Sequence, residues 1–177
     1  MHNITKIKSA TVYFCDSLSV DGYQYPNGDY ALSITSASKA LGYSKEWLGR
    51  SINRGGNTFK ALRGIGFSGK SDEVATPSLG GDQVAKLISL DDFASLVIYA
   101  ASKGKKEAIA LNKAFVKMSL HDFFREEFGD RPLTIEEKRK NFYKTYADSL
   151  TREDWLQMDR IDVRIINEQL RFVCEAL

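Results

Sequence analysis

Cysteine and histidine are scarce in this chain, and long apolar runs are missing. There are two cysteines among 177 residues, Cys15 and Cys174, near opposite ends. Two thiols make no disulfide framework, so the fold must rest on a packed core. Cys15 falls in a strand-like run and Cys174 in a helix-like one, and both read as small buried apolar groups. The two histidines, His2 and His121, are too few and too far apart for a zinc pattern. An all-oxygen magnesium site remains open on that count alone. No stretch approaches the roughly 18 apolar residues that a membrane span requires, and no apolar signal region opens the chain. A cytoplasmic protein with no membrane partner is the expectation. P-loop, nucleophile-elbow and Cys/His catalytic patterns are also lacking. No catalytic residue, metal ligand or cofactor is therefore assigned.

What the chain has is ordinary globular composition, 43% hydrophobic and 27% charged, with an uneven distribution of charge. The net charge of +2 conceals a basic segment. Across the 36 residues Thr35–Lys70, seven cations (Lys39, Lys45, Arg50, Arg54, Lys60, Arg63, Lys70) meet one anion, Glu46. That segment is +6, which leaves −4 for the rest of the chain. Such a split is an electrostatic footprint for a polyanion.

The first third reads as short strands. Ala10–Cys15 is β-branched and aromatic. Val20–Tyr25 and Tyr30–Ile34 alternate around the Pro26-Asn27-Gly28 turn and predict a small antiparallel hairpin. The period then changes. Thr35 or Ser36 can cap a helix whose inward stripe is Ala37, Ala40 and Leu41, ended by Gly42. After a Gly-Tyr-Ser turn, with Ser44 as a cap candidate, a second helix is expected over Lys45–Asn53, carrying Trp47, Leu48 and Ile52. Two short helices about a tight turn fit a helix-turn-helix unit.

Residues 54–83 are glycine-rich and predict loop, with a short helix at Thr58–Arg63 and a β-arm. Val84–Ile88 reads as a last strand. The remainder is helical. Ser89 with Asp92, Thr134 with Glu137, and Thr151 with Asp154 are three capping boxes. A run of more than 20 residues, Lys105–Phe128, is closed by Gly129 and has room for a bend at Met118–His121. The whole is an α+β fold: a small antiparallel sheet with a short helix pair, followed by a mostly helical C-terminal part. The expected division is a DNA-binding domain over 1–129 and a helical extension over 130–177 for oligomerisation or partner binding.

The helix faces suggest a contact surface. If Trp47, Leu48 and Ile52 turn inward, Lys45, Gly49, Arg50 and Asn53 turn outward. Arginine grips guanine bidentately, asparagine reads adenine, and glycine allows close approach. Arg54, Lys60 and Arg63, with Ser44, Thr58 and Ser68, are suited to phosphate oxygens. Tyr23, Tyr25 and Tyr30 could stack on unpaired bases but are more simply part of the sheet. A nuclease would draw on Asp16, Asp21 and Asp29, or on Asp72 and Glu73 with Gln83 and Lys86. These form no tight motif, and an enzyme is the third choice. The aromatic abundance of the helical part (Phe115, Phe123, Phe124, Phe128, Phe142, Tyr143, Tyr146, Trp155) favours a covered surface, hence a homodimer or a bound regulator protein.

Two stretches carry a resemblance. Gly22–Trp47, with Ala37, Ala40, Leu41, Gly42 and Tyr43 at a first helix and turn and Trp47-Leu48 as the anchor of a second, resembles the KilA-N and BRO-N type modules of phage and large-DNA-virus proteins, which include phage antirepressors. Ile88–Leu111 is similar to the helix that follows the sheet in such modules. The likeness covers roughly residues 20–125. It implies DNA binding and a role in phage gene control, as a transcriptional regulator or as an antirepressor that binds a regulator protein. The glycine-rich 54–83 departs from the pattern, and the last 45 or so residues match no effector domain.

Overall fold

The computed structural model describes residues 7–76 and 83–151. In chain order these are β1 (Lys8–Cys15), β2 (Leu18–Gln24), β3 (Tyr30–Ser33), α1 (Ile34–Ala40), α2 (Trp47–Arg54), α3 (Asn57–Gly64), β4 (Asp72–Thr76), β5 (Gln83–Ser89), α4 (Leu90–Ser102) and α5 (Lys106–Glu127). A further helix, α6, covers 135–151. The fold is α+β, with a small antiparallel sheet followed by a largely helical C-terminal region.

The five strands are ordered β1-β2-β3-β5-β4 and every neighbour is antiparallel. The hairpin expected around Pro26 is β2–β3. Its turn closes through the Gly28 N–H on the Tyr25 carbonyl at 2.9 Å. Gly28 has φ +93°, a conformation that glycine adopts without strain. Strand alternation then sorts the side chains. Ala10 and Val12 of β1, Val20 and Gly22 of β2 and Leu32 of β3 share one face by register, while Asp21 and Tyr23 take the other. A Cβ on Gly22 would lie 2.6 Å from a Val12 methyl, so a larger residue there would have to displace the Val12 side chain.

Both central strands run directly into helices through a serine. The Ser33 hydroxyl accepts the Ser36 N–H at 3.1 Å and opens α1; Ser89 accepts the Asp92 N–H at 3.1 Å and opens α4. Thr35 and Ser36, expected as caps, are instead inside α1. Helix begins as soon as the strand ends, and Ser33 is already extended at that junction. At α2 the expected Ser44 side-chain cap is not made. The Ser44 carbonyl accepts the Trp47 N–H, and the helix starts two residues later than the sequence suggested.

A single buried cluster joins sheet and helices: Leu32, Ile34, Ala37, Leu41, Leu48, Leu62, Phe67, Ile88, Leu96 and Leu111. α6 joins it. Phe142 lies 5.8 Å from Phe14 of β1 and 5.1 Å from Phe115 of α5, and Tyr146 is buried beside it. Arg139 also donates to the Tyr13 carbonyl on the β1 edge at 3.1 Å. The capping box before α6 forms in both directions: Thr134 N–H to Glu137 at 2.9 Å, and Glu137 N–H to the Thr134 hydroxyl at 3.2 Å.

The glycine-rich stretch holds the short helix and the β-arm expected in it, as α3 and β4, and Leu62 and Phe67 anchor it to the core. Several local expectations change. α5 is one uninterrupted helix of 22 residues through Met118–His121. Thr151 does not open a new helix, since it already belongs to α6 and its hydroxyl donates to the Ala147 carbonyl at 3.0 Å. Its expected partner Asp154, together with His2, Trp155 and Cys174, lies outside the described residues. Cys15 is buried and free, as expected.

Candidate nucleic-acid interface

α2 is strongly two-sided. Leu48 is its one fully buried side chain, with Trp47 and Ile52 half-buried beside it. The helix is held against α1 through Ser38. That buried hydroxyl donates to the Ile34 carbonyl at 2.9 Å and accepts the Leu48 N–H at 3.4 Å. Trp47 is only half-buried. It stacks flat on Tyr43, with ring centroids 3.9 Å apart, and lies 6.2 Å from Tyr99 of α4. The Lys105 ammonium also lies over the Tyr43 ring, 4.5 Å from its centre, and donates to the Gly42 carbonyl at 3.1 Å. Burial in this stack, and then the neighbouring Tyr99, push the Tyr43 phenol upward.

The opposite face of α2 is open. Lys45, Glu46, Gly49, Arg50 and Asn53 line a groove of about 720 Å³ whose far wall is Asp21 and Tyr23 of β2, Ser33–Thr35 at the start of α1, and Val84–Lys86 of β5. Four of the seven residues assigned from sequence thus come together. Gly49 meets nothing of the protein's own. A Cβ placed there has no heavy atom within 4 Å, and its φ is not positive. Neither packing nor backbone conformation requires a glycine at that point.

Arg50 also lines a second groove of about 340 Å³ with Arg54, Ser44, Thr58, Gly56 and Asn57. The side chain therefore stands on the ridge between the two grooves. Arg54, Ser44 and Thr58 fall together as the phosphate assignment requires. Lys60 and Arg63 line neither groove. Both are on α3, and the Arg63 guanidinium donates to the Ser68 carbonyl of its own loop. Ser68 is itself held by Asp92, so its hydroxyl is directed inward.

Sequence reasoning missed Asp21, Tyr23, Thr35 and Lys86 as groove residues. Alternation marks Asp21 and Tyr23 as sharing a face, but nothing local places that face opposite α2. The groove mixes signs, with Lys45, Arg50 and Lys86 against Asp21 and Glu46. The Lys45–Glu46 pair, at 3.6 Å and largely exposed, is weak and easily exchanged.

Two of the acidic residues considered for a nuclease, Asp72 and Glu73, have partners of their own. Asp72 accepts the Tyr25 hydroxyl at 2.7 Å, and Glu73 pairs with Lys86 at 3.3 Å. Among the described residues no group of three or more His, Cys, Asp or Glu side chains is arranged to hold a metal. No helix among them is long and apolar enough to cross a membrane. Comparison with known protein families, curated proteins and solved structures finds no match.

Proposed function

We propose that this protein binds double-stranded DNA with sequence preference, acting in the cytoplasm as a phage-like transcriptional regulator. The observation that carries the reading is the convergence of Lys45, Gly49, Arg50 and Asn53 on one open groove along α2. Those residue types supply a bidentate guanine contact, an adenine contact, a point charge for phosphate and a place for close backbone approach. The second groove adds Arg54, Ser44 and Thr58 as phosphate partners on the adjoining side. Asp21 and Glu46 offset part of the positive charge of the first groove, and a carboxylate there can accept from the exocyclic amine of cytosine. A mixed-sign groove suits base reading better than nonspecific backbone binding. The resemblance of Gly22–Trp47 to KilA-N and BRO-N type modules points the same way.

The test is fluorescence anisotropy with random and selected duplexes. Binding at low salt that sharpens to one selected sequence and weakens linearly with the logarithm of salt is expected. No binding to any duplex at low salt would overturn the reading. The antirepressor alternative, binding of a regulator protein, would then lead.

A further inference from the structure

The second half of α5 carries an exposed stripe with no cover among the described residues. Val116, Leu120, Phe123 and Phe124 are between 51% and 69% exposed. At 100° per residue they fall on one side of the helix. The opposite side is occupied: Leu111 and Ala114 are buried, Phe115 packs on Phe142, and Asp122 pairs with Lys138 of α6 at 2.7 Å. α6 therefore covers one flank, and no described residue covers the other.

The same stripe ends in opposite charges. Lys113 lies seven residues before Leu120 and Glu127 seven after it, both exposed and in line with the apolar side chains. Among the described residues neither makes an ion pair. We propose that this face is a two-fold interface with a second copy of the chain, in which two α5 helices cross antiparallel at Leu120. That arrangement sets Leu120 on its own symmetry mate once, at the axis, and sets Val116 against Phe124 and Lys113 against Glu127 twice each. A parallel pair would set Lys113 on Lys113 and Glu127 on Glu127. The charge order along the stripe thus selects the antiparallel pair. The span from Lys113 to Glu127 is about 21 Å, roughly four helical turns. The inference stands apart from DNA binding, since α2 and its grooves contribute nothing to it.

Sedimentation equilibrium of the full chain at low salt is the test, with circular dichroism as a check on folding. The parent is expected at twice the chain mass in the micromolar range. Leu120→Asp, at an exposed position, keeps its helix content and gives single chains. Lys113→Glu and Glu127→Lys each weaken self-association roughly tenfold, the scale expected when two exposed ion pairs reverse sign. Combining both changes in one chain, or mixing the two single variants, restores it. A parent that stays at single-chain mass throughout overturns the proposal, because something other than a second copy then covers the face. A dimer indifferent to Leu120→Asp, or one that the doubly exchanged chain does not restore, overturns it equally.

Discussion

The buried carboxylate of Asp92 grips Ser68 twice, taking its backbone N–H and its hydroxyl at 2.6 Å each. Asp92 is in the first turn of α4, and Ser68 is in the loop after α3. One side chain thus fastens the glycine-rich connection to the helical half of the core. The expected capping box is only half formed for this reason: Ser89 caps Asp92, but Asp92 turns away to Ser68. Removing a buried, doubly bonded carboxylate leaves a backbone donor unsatisfied. Asp92→Ala should destabilise by about 2–4 kcal/mol in a urea titration, since hydrogen bonds to charged groups are worth about 1.5–3 kcal/mol each. Ser68→Ala should cost about 1 kcal/mol, because the N–H bond survives. Equal costs for the two would show that the hydroxyl alone carries the contact.

Gly49 separates stability from binding. A glycine inside a helix costs roughly 0.5–1 kcal/mol relative to alanine, and nothing in the protein requires it. Gly49→Ala should therefore raise stability by about that amount. On the proposed reading it should also weaken duplex binding, because the new methyl would stand where the proposed duplex comes close to α2. Unchanged affinity would mean that α2 does not come close to DNA at this turn.

Arg50 and Lys60 should behave differently. Arg50→Ala is expected to relax preference at one base pair, a loss of about 1–3 kcal/mol of discrimination. Arg54→Ala should weaken all sequences alike and lower the salt slope by about one unit. Lys60 and Arg63 line neither groove, so their alanine variants report how far the duplex extends along α3. A slope reduced in both would place phosphate over α3; parental slopes would confine the contact to α2 and its flanks.

Tyr25 reports on the sheet edge. Burial, and then the hydrogen bond to Asp72, raise its phenol from the ordinary 10.0 to about 12. The folded state thus holds this proton more tightly than the unfolded chain. The stability it contributes is fully present below pH 10 and is lost as pH rises through about 12. In an ultraviolet titration Tyr25→Phe should remove the latest tyrosine step, and Asp72→Asn should move that step towards ordinary values. A late step that persists in Tyr25→Phe would assign it to another tyrosine.

Much of the local structure was legible. The β2–β3 turn announces itself in Asn27-Gly28, and the Thr134–Glu137 box forms as spaced. The outward face of α2 follows from its period. What failed did so where two elements meet. Ser33 rather than Thr35 caps α1 because strand and helix abut without a linker. The short helix and β-arm within 54–76 were legible, but not that Leu62 and Phe67 would fasten them to the core, which no window of that glycine-rich stretch contains. Trp47 reads as a buried anchor, yet it is a half-buried slab against Tyr43, since α4 reaches only one of its sides.

By itself the sequence determined the alternation of the strands, the starts of α4 and α6, and which α2 side chains point outward. Each of these depends on neighbours within about one helical turn or one strand pair, where period and capping chemistry act. The tertiary structure alone decided that β5 returns beside β3 and brings Lys86 opposite α2. It also turned Ser68 and Arg63 inward and, among the described residues, left one side of α5 uncovered. These outcomes depend on contacts between residues far apart in the chain. Sequence spacing holds no record of them, because burial of apolar surface is non-directional and is satisfied only once whole elements pack together.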